Sequence, residues 1–158
     1  MAIDIRPAQV TEADQLSSIA LAAKKYWGYP DRWIDLWRDQ LTITTEYIAA
    51  HEVVVACLDQ AIVGFYAVID NGSIWALDHL WVQPNSIGRG VGRRLLQHAI
   101  DHAREHGVTA IEIEADPNAE SFYQHMGARR VRVNRSEIEG QPRELPVMRM
   151  DLQQRVAS

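Results

Sequence analysis

The residues best placed to do chemistry lie between Val82 and Leu96. Gly88, Gly90 and Gly92 recur at every second position, interleaved with Ile87, Arg89 and Val91 and followed by Arg93 and Arg94. Without a Cβ, glycine lets backbone N–H groups come close to a ligand. The segment joins a predicted strand to a predicted helix, and a helix N-terminus presents unpaired N–H groups and a dipole that favours anions. A pyrophosphate is the natural guest, with the three arginines adding positive charge around it. A P-loop would end in Gly-Lys-Ser/Thr, but here Gly92 is followed by Arg93-Arg94. A Rossmann fingerprint spaces its glycines GxGxxG inside a parallel βαβ unit. Neither fits a GxGxG spacing after an antiparallel run. The plain alternative is a glycine-rich loop that only turns the chain.

Other groups could serve a reaction. Asp78 and His79 are adjacent on one predicted strand, so alternation points them to opposite faces. Histidine titrates near neutral pH unaided, whereas Asp78 would need a raised pKa or would act through water. Glu112 and Glu114 share one face of a later strand and are lesser candidates. The run Tyr26-Trp27-Gly28-Tyr29-Pro30-Asp31-Arg32-Trp33 is rich in aromatics. Trp27, Tyr29 and Trp33 could hold an aromatic or cationic ligand by stacking or cation–π contact, or could pack a helix on a sheet. His98, His102 and His106 are spaced by four, but they run along the edge of an apolar helical stripe. No HExxH or CxxC accompanies them, so boundary packing is the expected role and no metal is expected. Cys57 is the single cysteine and reads as a small buried apolar residue.

The elements that must position these groups follow from periodicity. A strand is predicted at Ile3–Arg6, ended by Pro7. A helix follows from Thr11 to Lys25, with Thr11 as cap and Asp14 at the capping-box position. Gly28-Tyr29-Pro30 breaks it, and a second helix runs over 31–41 with Trp33, Trp37 and Leu41 on one side. Thr44 or Thr45 caps a short turn. Strands are predicted at 52–58, 61–69 and 73–82, with turns at Asp59-Gln60 and Asp70-Asn71-Gly72. A long helix spans Gly90–His106, ending at Gly107. A strand at 109–115, a short helix at 117–126 and a closing antiparallel pair at 129–134 and 146–152 complete the chain. The order is β-α-α-β-β-β-α-β-α-β-β. This is an α+β fold with a mixed, mostly antiparallel central sheet flanked by helices.

The chain has 158 residues, which suits one domain over residues 1–158. Hydrophobic residues make up 47% and charged ones 23%, a globular composition and not a disordered one. The formal charge of −5 weighs against a nucleic-acid partner and mildly favours a cationic one such as an amine. No apolar run reaches the roughly 20 residues of a membrane span. The N-terminal residues lack the pattern of a signal peptide, and a lone cysteine suits the cytoplasm.

With these motifs in view, the sequence resembles the GNAT N-acetyltransferases over nearly its whole length. The GxGxG loop is similar to the family's acyl-CoA-binding motif. Phe122-Tyr123-Gln124-His125-Met126-Gly127 resembles its second motif, an aromatic-Tyr pair four residues before a glycine. Asp116-Pro117-Asn118-Ala119-Glu120 and the tail around Arg143-Glu144-Leu145-Pro146 look like one bacterial subgroup. The departures are Ile87, where the family carries Arg or Gln, and Asp116, where it often carries Asn.

The resemblance implies a fold, a co-substrate and roles. Acetyl-CoA enters a notch between the strands ending at Val82 and near Ala115. Leu80, Trp81 and Val82 hold the pantetheine arm by their backbone. Ile87 to Arg93 hold the pyrophosphate through main-chain donors, and Asn118 and Phe122 join the cofactor-binding set. Tyr123 is the general acid that protonates the leaving thiolate, a role suited to a phenol of pKa near 10. Asp78 or His79 is the base, unless water accepts the proton. Trp27, Tyr29 and Trp33 wall the acceptor. The expected acceptor is a small-molecule primary amine. The alternatives are a protein lysine or N-terminus, or a noncatalytic acyl-CoA sensor. A homodimer through the C-terminal strands is also expected.

Overall fold

The computed structural model describes residues 2–152. In chain order the elements are β1 (Ile3–Pro7), α1 (Ala13–Tyr26), α2 (Asp31–Leu41), α3 (Thr45–Ala50), β2 (Glu52–Leu58), β3 (Ala61–Asp70), β4 (Ile74–Val82), α4 (Val91–Glu105), β5 (Ala110–Glu114), α5 (Glu120–His125), β6 (Arg129–Ile138) and β7 (Gln141–Asp151). Short 3₁₀ turns at Val10–Glu12, Pro84–Ser86 and Pro117–Ala119 precede α1, α4 and α5. The strands form a seven-stranded sheet in the order β1-β2-β3-β4-β5-β7-β6. β4 and β5 run parallel, while β1–β2, β2–β3, β5–β7 and β6–β7 are antiparallel. This is the mixed, mostly antiparallel sheet with flanking helices that the periodicity predicts.

Contacts divide the chain into two units, the described parts of Met1–Val68 with His79–Gln97 and of Ile69–Asp78 with His98–Ser158. In the first, β2 is buried on both faces from Val53 to Leu58. Val53, Val55 and Cys57 face a core with Leu16, Ile19 and Ala20 of α1 and with Phe65 and Ala67 of β3. On α2 the fully buried residue is Ile34, whereas Trp33 and Trp37 are only half-buried, so the stripe predicted through Trp33, Trp37 and Leu41 is rotated toward Ile34. In the second unit, Ile111 of β5 and Met148 of β7 are fully buried, each opposite another buried residue of the antiparallel pair, Ile111 opposite Met150 and Ile113 opposite Met148.

Two local expectations are corrected. Thr11 does not cap α1, because it lies inside a 3₁₀ turn that precedes the helix and is closed by the side chain of Glu12. Its carboxylate accepts the Gln9 N–H at 2.7 Å and two bonds from the Arg6 guanidinium, at 3.0 and 2.7 Å. That three-way lock outweighs the hydroxyl of Thr11. The closing strands are also longer than predicted. They extend to meet at a tight turn in which Glu139 and Gly140 both have positive φ, 49° and 76°. The polar run Arg135–Arg143 hid the hairpin, since its alternating side chains stand mostly in solvent and carry no apolar period.

Candidate functional site

The glycine loop lies in the first unit, where β4 hands over to α4. Gln83 N–H donates to Val63 O at 2.7 Å and ends the ladder, and Pro84–Ser86 make one 3₁₀ turn. Gly88 and Gly90 then take φ of 87° and 80°, values that a side chain disfavours. The first intrahelical bond of α4 runs from Arg94 N–H to Gly90 O at 3.0 Å. Gly90 is therefore the N-cap, and the N–H groups of Val91, Gly92 and Arg93 have no acceptor within the helix. A Cβ built on Gly88 or Gly90 meets nothing within 4 Å, so these glycines face open space. Ile87, Arg89 and Arg93 are exposed around them, while Arg94 leans to Ile3 O at 3.5 Å. Backbone donors, a helix dipole and two exposed guanidinium groups suit a pyrophosphate.

A residue that sequence reasoning passed over makes this placement possible. A Cβ on Gly64 of β3 would lie 2.9 Å from Trp81 O, 3.1 Å from Leu95 Cδ1 and 3.1 Å from Val91 Cγ1. The first turns of α4 therefore rest directly on the β3 backbone. The ladder between β2 and β3 also shifts register here: Ala56 pairs with Gly64 and Cys57 with Ile62, leaving Val63 as a bulge. The signal was present, since a glycine inside an apolar strand marks a bulge or a close backbone approach.

On β4, Leu80 and Val82 alternate with His79 and Trp81, all four half-buried, while Asp78 is exposed. The Trp81 Nε1–H donates to His79 Nδ1 at 2.9 Å. An indole can only donate, so this bond holds the neutral imidazole with its proton on Nε2. In this arrangement the His79 Nδ1 lone pair is engaged. The ring is flanked by Tyr47 at 5.8 Å and Phe65 at 6.1 Å between centroids.

The aromatic segment sorts into two groups. Trp27 pairs edge-on with Tyr26 at 6.1 Å, and both are exposed. Tyr29, Trp33 and Trp37 form a triangle, with centroids 6.1 Å (Tyr29–Trp33), 5.0 Å (Tyr29–Trp37) and 6.0 Å (Trp33–Trp37) apart. The two tryptophans are one helical turn apart on α2, which puts them on one face. Lys24 Nζ of α1 lies 4.4 Å from the Trp37 ring centroid and 5.0 Å from that of Tyr29. The Trp33 Nε1–H is buried without an acceptor among the described residues.

In the second unit, Tyr123 of α5 is buried with 6% exposure and stands edge-on to Phe122 at 5.2 Å. Burial, then the negative charge of Asp116, pushes its phenol above the usual tyrosine range, so it stays protonated through neutral pH. Asp116 caps the 3₁₀ turn before α5. Its Oδ1 accepts from Asn118 N at 2.9 Å and Asn118 Nδ2 at 3.0 Å, and its Oδ2 lies 3.9 Å from Arg143 Nη2. Asn118 is thus tied to the turn. Glu112 is bound by Arg132 at 3.2 Å and Arg149 at 3.0 Å, and Glu114 accepts from Asn134 at 2.6 Å. His102 and His106 pack on buried Trp75, with centroids 5.6 and 5.5 Å away, as boundary packing predicts. Among the described residues no group of histidines, cysteines and carboxylates is arranged to hold a metal ion, and no helix is long and apolar enough to cross a membrane.

Comparison with known proteins agrees with this geometry. A family model described as the acetyltransferase (GNAT) family matches residues 13–128, from the start of α1 to just before β6. PaiA N-acetyltransferase from Thermoplasma acidophilum, solved in complex with coenzyme A, superposes with a TM-score of 0.78 at 20% identity, over 96% of this chain and 99% of that one. The ribosomal-protein-S18-alanine N-acetyltransferase from Escherichia coli gives 0.74 at 17%, over 97% and 96%. YncA from Salmonella typhimurium, a putative acetyltransferase solved with acetyl-CoA, gives 0.73 at 19%, over 100% and 98%. At these identities the likeness speaks for the fold. No curated protein matches the sequence.

Proposed function

The chain belongs to the GNAT acetyltransferase family, and on that premise we propose that it transfers an acetyl group from acetyl-CoA to a primary amine of a small-molecule acceptor, by direct attack in a ternary complex. Residues 1–158 act as one catalytic domain in this reading. The observation that carries it is the row of backbone donors from Gly88 to Arg93 at the open N-terminus of α4. They receive the pyrophosphate of acetyl-CoA, with Arg89 and Arg93 supplying charge. Leu80, Trp81 and Val82 hold the pantetheine arm by main-chain bonds, and Asn118 and Phe122 are further cofactor-binding candidates that the family resemblance supplies. Ile87 contributes only its backbone.

The neutral amine attacks the thioester carbonyl carbon. A C–N bond forms and the carbonyl electrons move to oxygen. His79, held as an Nε2–H donor by Trp81, is suited to stabilise that oxyanion. Collapse breaks the C–S bond, and Tyr123, a neutral phenol at neutral pH that burial makes a weaker acid than a free tyrosine, gives its proton to the thiolate. The proton lost by the amine passes to Asp78 or to water and returns the phenol to its acid form by exchange. No covalent enzyme intermediate is needed, because holding both substrates together supplies much of the rate. Trp27, Tyr29 and Trp33 wall the acceptor.

Calorimetric titration with acetyl-CoA, with ATP and NAD as controls, tests the reading without knowledge of the acceptor. Saturable binding of acetyl-CoA alone is expected; preference for ATP or NAD would remove the assignment. With an accepted amine in hand, Tyr123→Phe should lower kcat about 10- to 100-fold at nearly unchanged acetyl-CoA affinity. Full activity in that variant would take Tyr123 out of the mechanism.

A further inference from the structure

The Lys24 ammonium lies over two rings of the aromatic triangle. Its distances of 4.4 and 5.0 Å to Trp37 and Tyr29 fall within the reach of cation–π attraction. Tyr29 and Trp37 stand nearly at right angles, 87°, with the ammonium over both rings, and Trp33 abuts them, edge-on to Trp37 and tilted against Tyr29. Trp33 and Trp37 are half-buried and not closed into the core, although Trp37 packs against the same cluster as Tyr47 and Trp81. The geometry is that of a cage for an alkylammonium group, and Lys24 shows that a cation is compatible with it.

From this we infer that Tyr29, Trp33 and Trp37 bind a non-reacting alkylammonium group of the acceptor, and that Lys24 is an internal occupant which this group displaces. The inference rests on the acetyl-transfer reading for its substrate class. An amine must be neutral to attack a thioester, whereas a cation–π cage favours the protonated or alkylated form. The nitrogen held in the cage is therefore not the nitrogen that is acetylated. The acceptor class that follows is an amine bearing a second cationic nitrogen on an aliphatic chain.

Choline chloride is the first probe, read by tryptophan fluorescence and calorimetry, with 3,3-dimethylbutan-1-ol as its uncharged isostere. Choline should bind saturably and the alcohol at least about tenfold more weakly; equal binding of the two, or none of choline, overturns the cage. Lys24→Ala removes the internal competitor at a position on α1 that alanine suits. It should tighten choline binding about two- to fivefold, the range of one exposed cation–π contact. Unchanged or weaker binding in that variant overturns the displacement. Trp37→Leu keeps apolar bulk but removes a ring face, and should abolish choline binding in protein whose circular dichroism is unchanged; if it does not fold, the Lys24→Ala arm still decides. For the substrate class, kcat/KM for 1,5-diaminopentane should exceed that for pentylamine at least about fivefold, and parity would refute it. Acetyl-CoA titration of the same samples separates the two ideas. Acetyl-CoA binding without choline binding sinks the cage alone, and the reverse sinks the acetyl-transfer reading and the acceptor class with it, leaving only the cation site.

Discussion

The glycine loop and the aromatic cage both belong to the first unit, and they are built to meet opposite charges by opposite means. The loop turns on two glycines whose Cβ positions meet open space, and the first N–H groups of α4 beside them have no acceptor within the helix. The cage is all side chain, and it already holds a cation of its own. An anion site made of backbone needs a particular conformation, and conformation is written in the sequence as glycines at fixed spacing. A cation site made of ring faces needs only that rings meet, and the sequence does not say which rings will. The loop should therefore be fragile to added atoms, and the cage to lost ones.

The largest effect is expected at Gly64, where the loop's helix sits on β3. Gly64→Val would drive a side chain into Trp81 O, a backbone atom 2.9 Å from the Cβ position. Overpacking of this kind should cost about 3 kcal/mol and lower Tm by roughly 6–12 °C. A thermal melt checks this, and an unchanged Tm would mean that α4 does not rest on β3 as described. Gly90→Val is the next test, because its Cβ meets nothing within 4 Å and so disturbs no packing. It should cost about 1–2 kcal/mol for a branched side chain in the left-handed region. Its larger effect should be on ligand: acetyl-CoA should bind about tenfold or more weakly, while choline binding at the cage stays the same. Normal acetyl-CoA affinity in this variant would place the pyrophosphate elsewhere; a parallel loss of choline binding would show that loop and cage are not independent.

How far the sequence could be read follows the same division. Strand and helix periods, the Asp59-Gln60 and Asp70-Asn71-Gly72 turns and the break at Gly28 placed most of the elements within a residue or two. These signals are local, since each depends on one residue's backbone preference or on spacing along one segment. The misreadings were non-local. Thr11 falls inside a 3₁₀ turn that the Glu12 carboxylate closes, while Arg6 of β1 holds that carboxylate from another segment. The strands meeting at Glu139-Gly140 were hidden because solvent-facing residues carry no apolar period. Among the chemical groups, His79 could be named from its type and strand. Its tautomer could not, because that depends on Trp81 reaching back across two residues. Likewise Tyr29, Trp33 and Trp37 could be named, the two tryptophans from their helical spacing, but Lys24 joins them only once α1 and α2 are packed.

The smallest expected effect concerns the polar anchor of α1, the helix that carries Lys24 near its other end. The Arg6 guanidinium, through its hydrogen bonds, holds the Glu12 carboxyl below the usual carboxylate range, and the Gln9 N–H adds to this against the cost of burial. A folded-state pKa depressed in this way stabilises the protein above the unfolded pKa of about 4.3, and the benefit is lost as pH falls through the lower folded value. Glu12→Gln keeps an acceptor for Gln9 but gives up the charge. Arg6 is 39% exposed, so solvent screening keeps the pair's worth small. The variant should lose about 1 kcal/mol at pH 7, read by urea unfolding, and the gap to the parent protein should narrow as pH falls below about 4. A gap that persisted at acid pH would assign the loss to packing at the start of α1. Choline binding should change less than twofold at pH 7, because Lys24 lies three turns from Glu12 along α1. A larger change would mean that the cage is positioned through the whole length of the helix, and is less local than its three rings suggest.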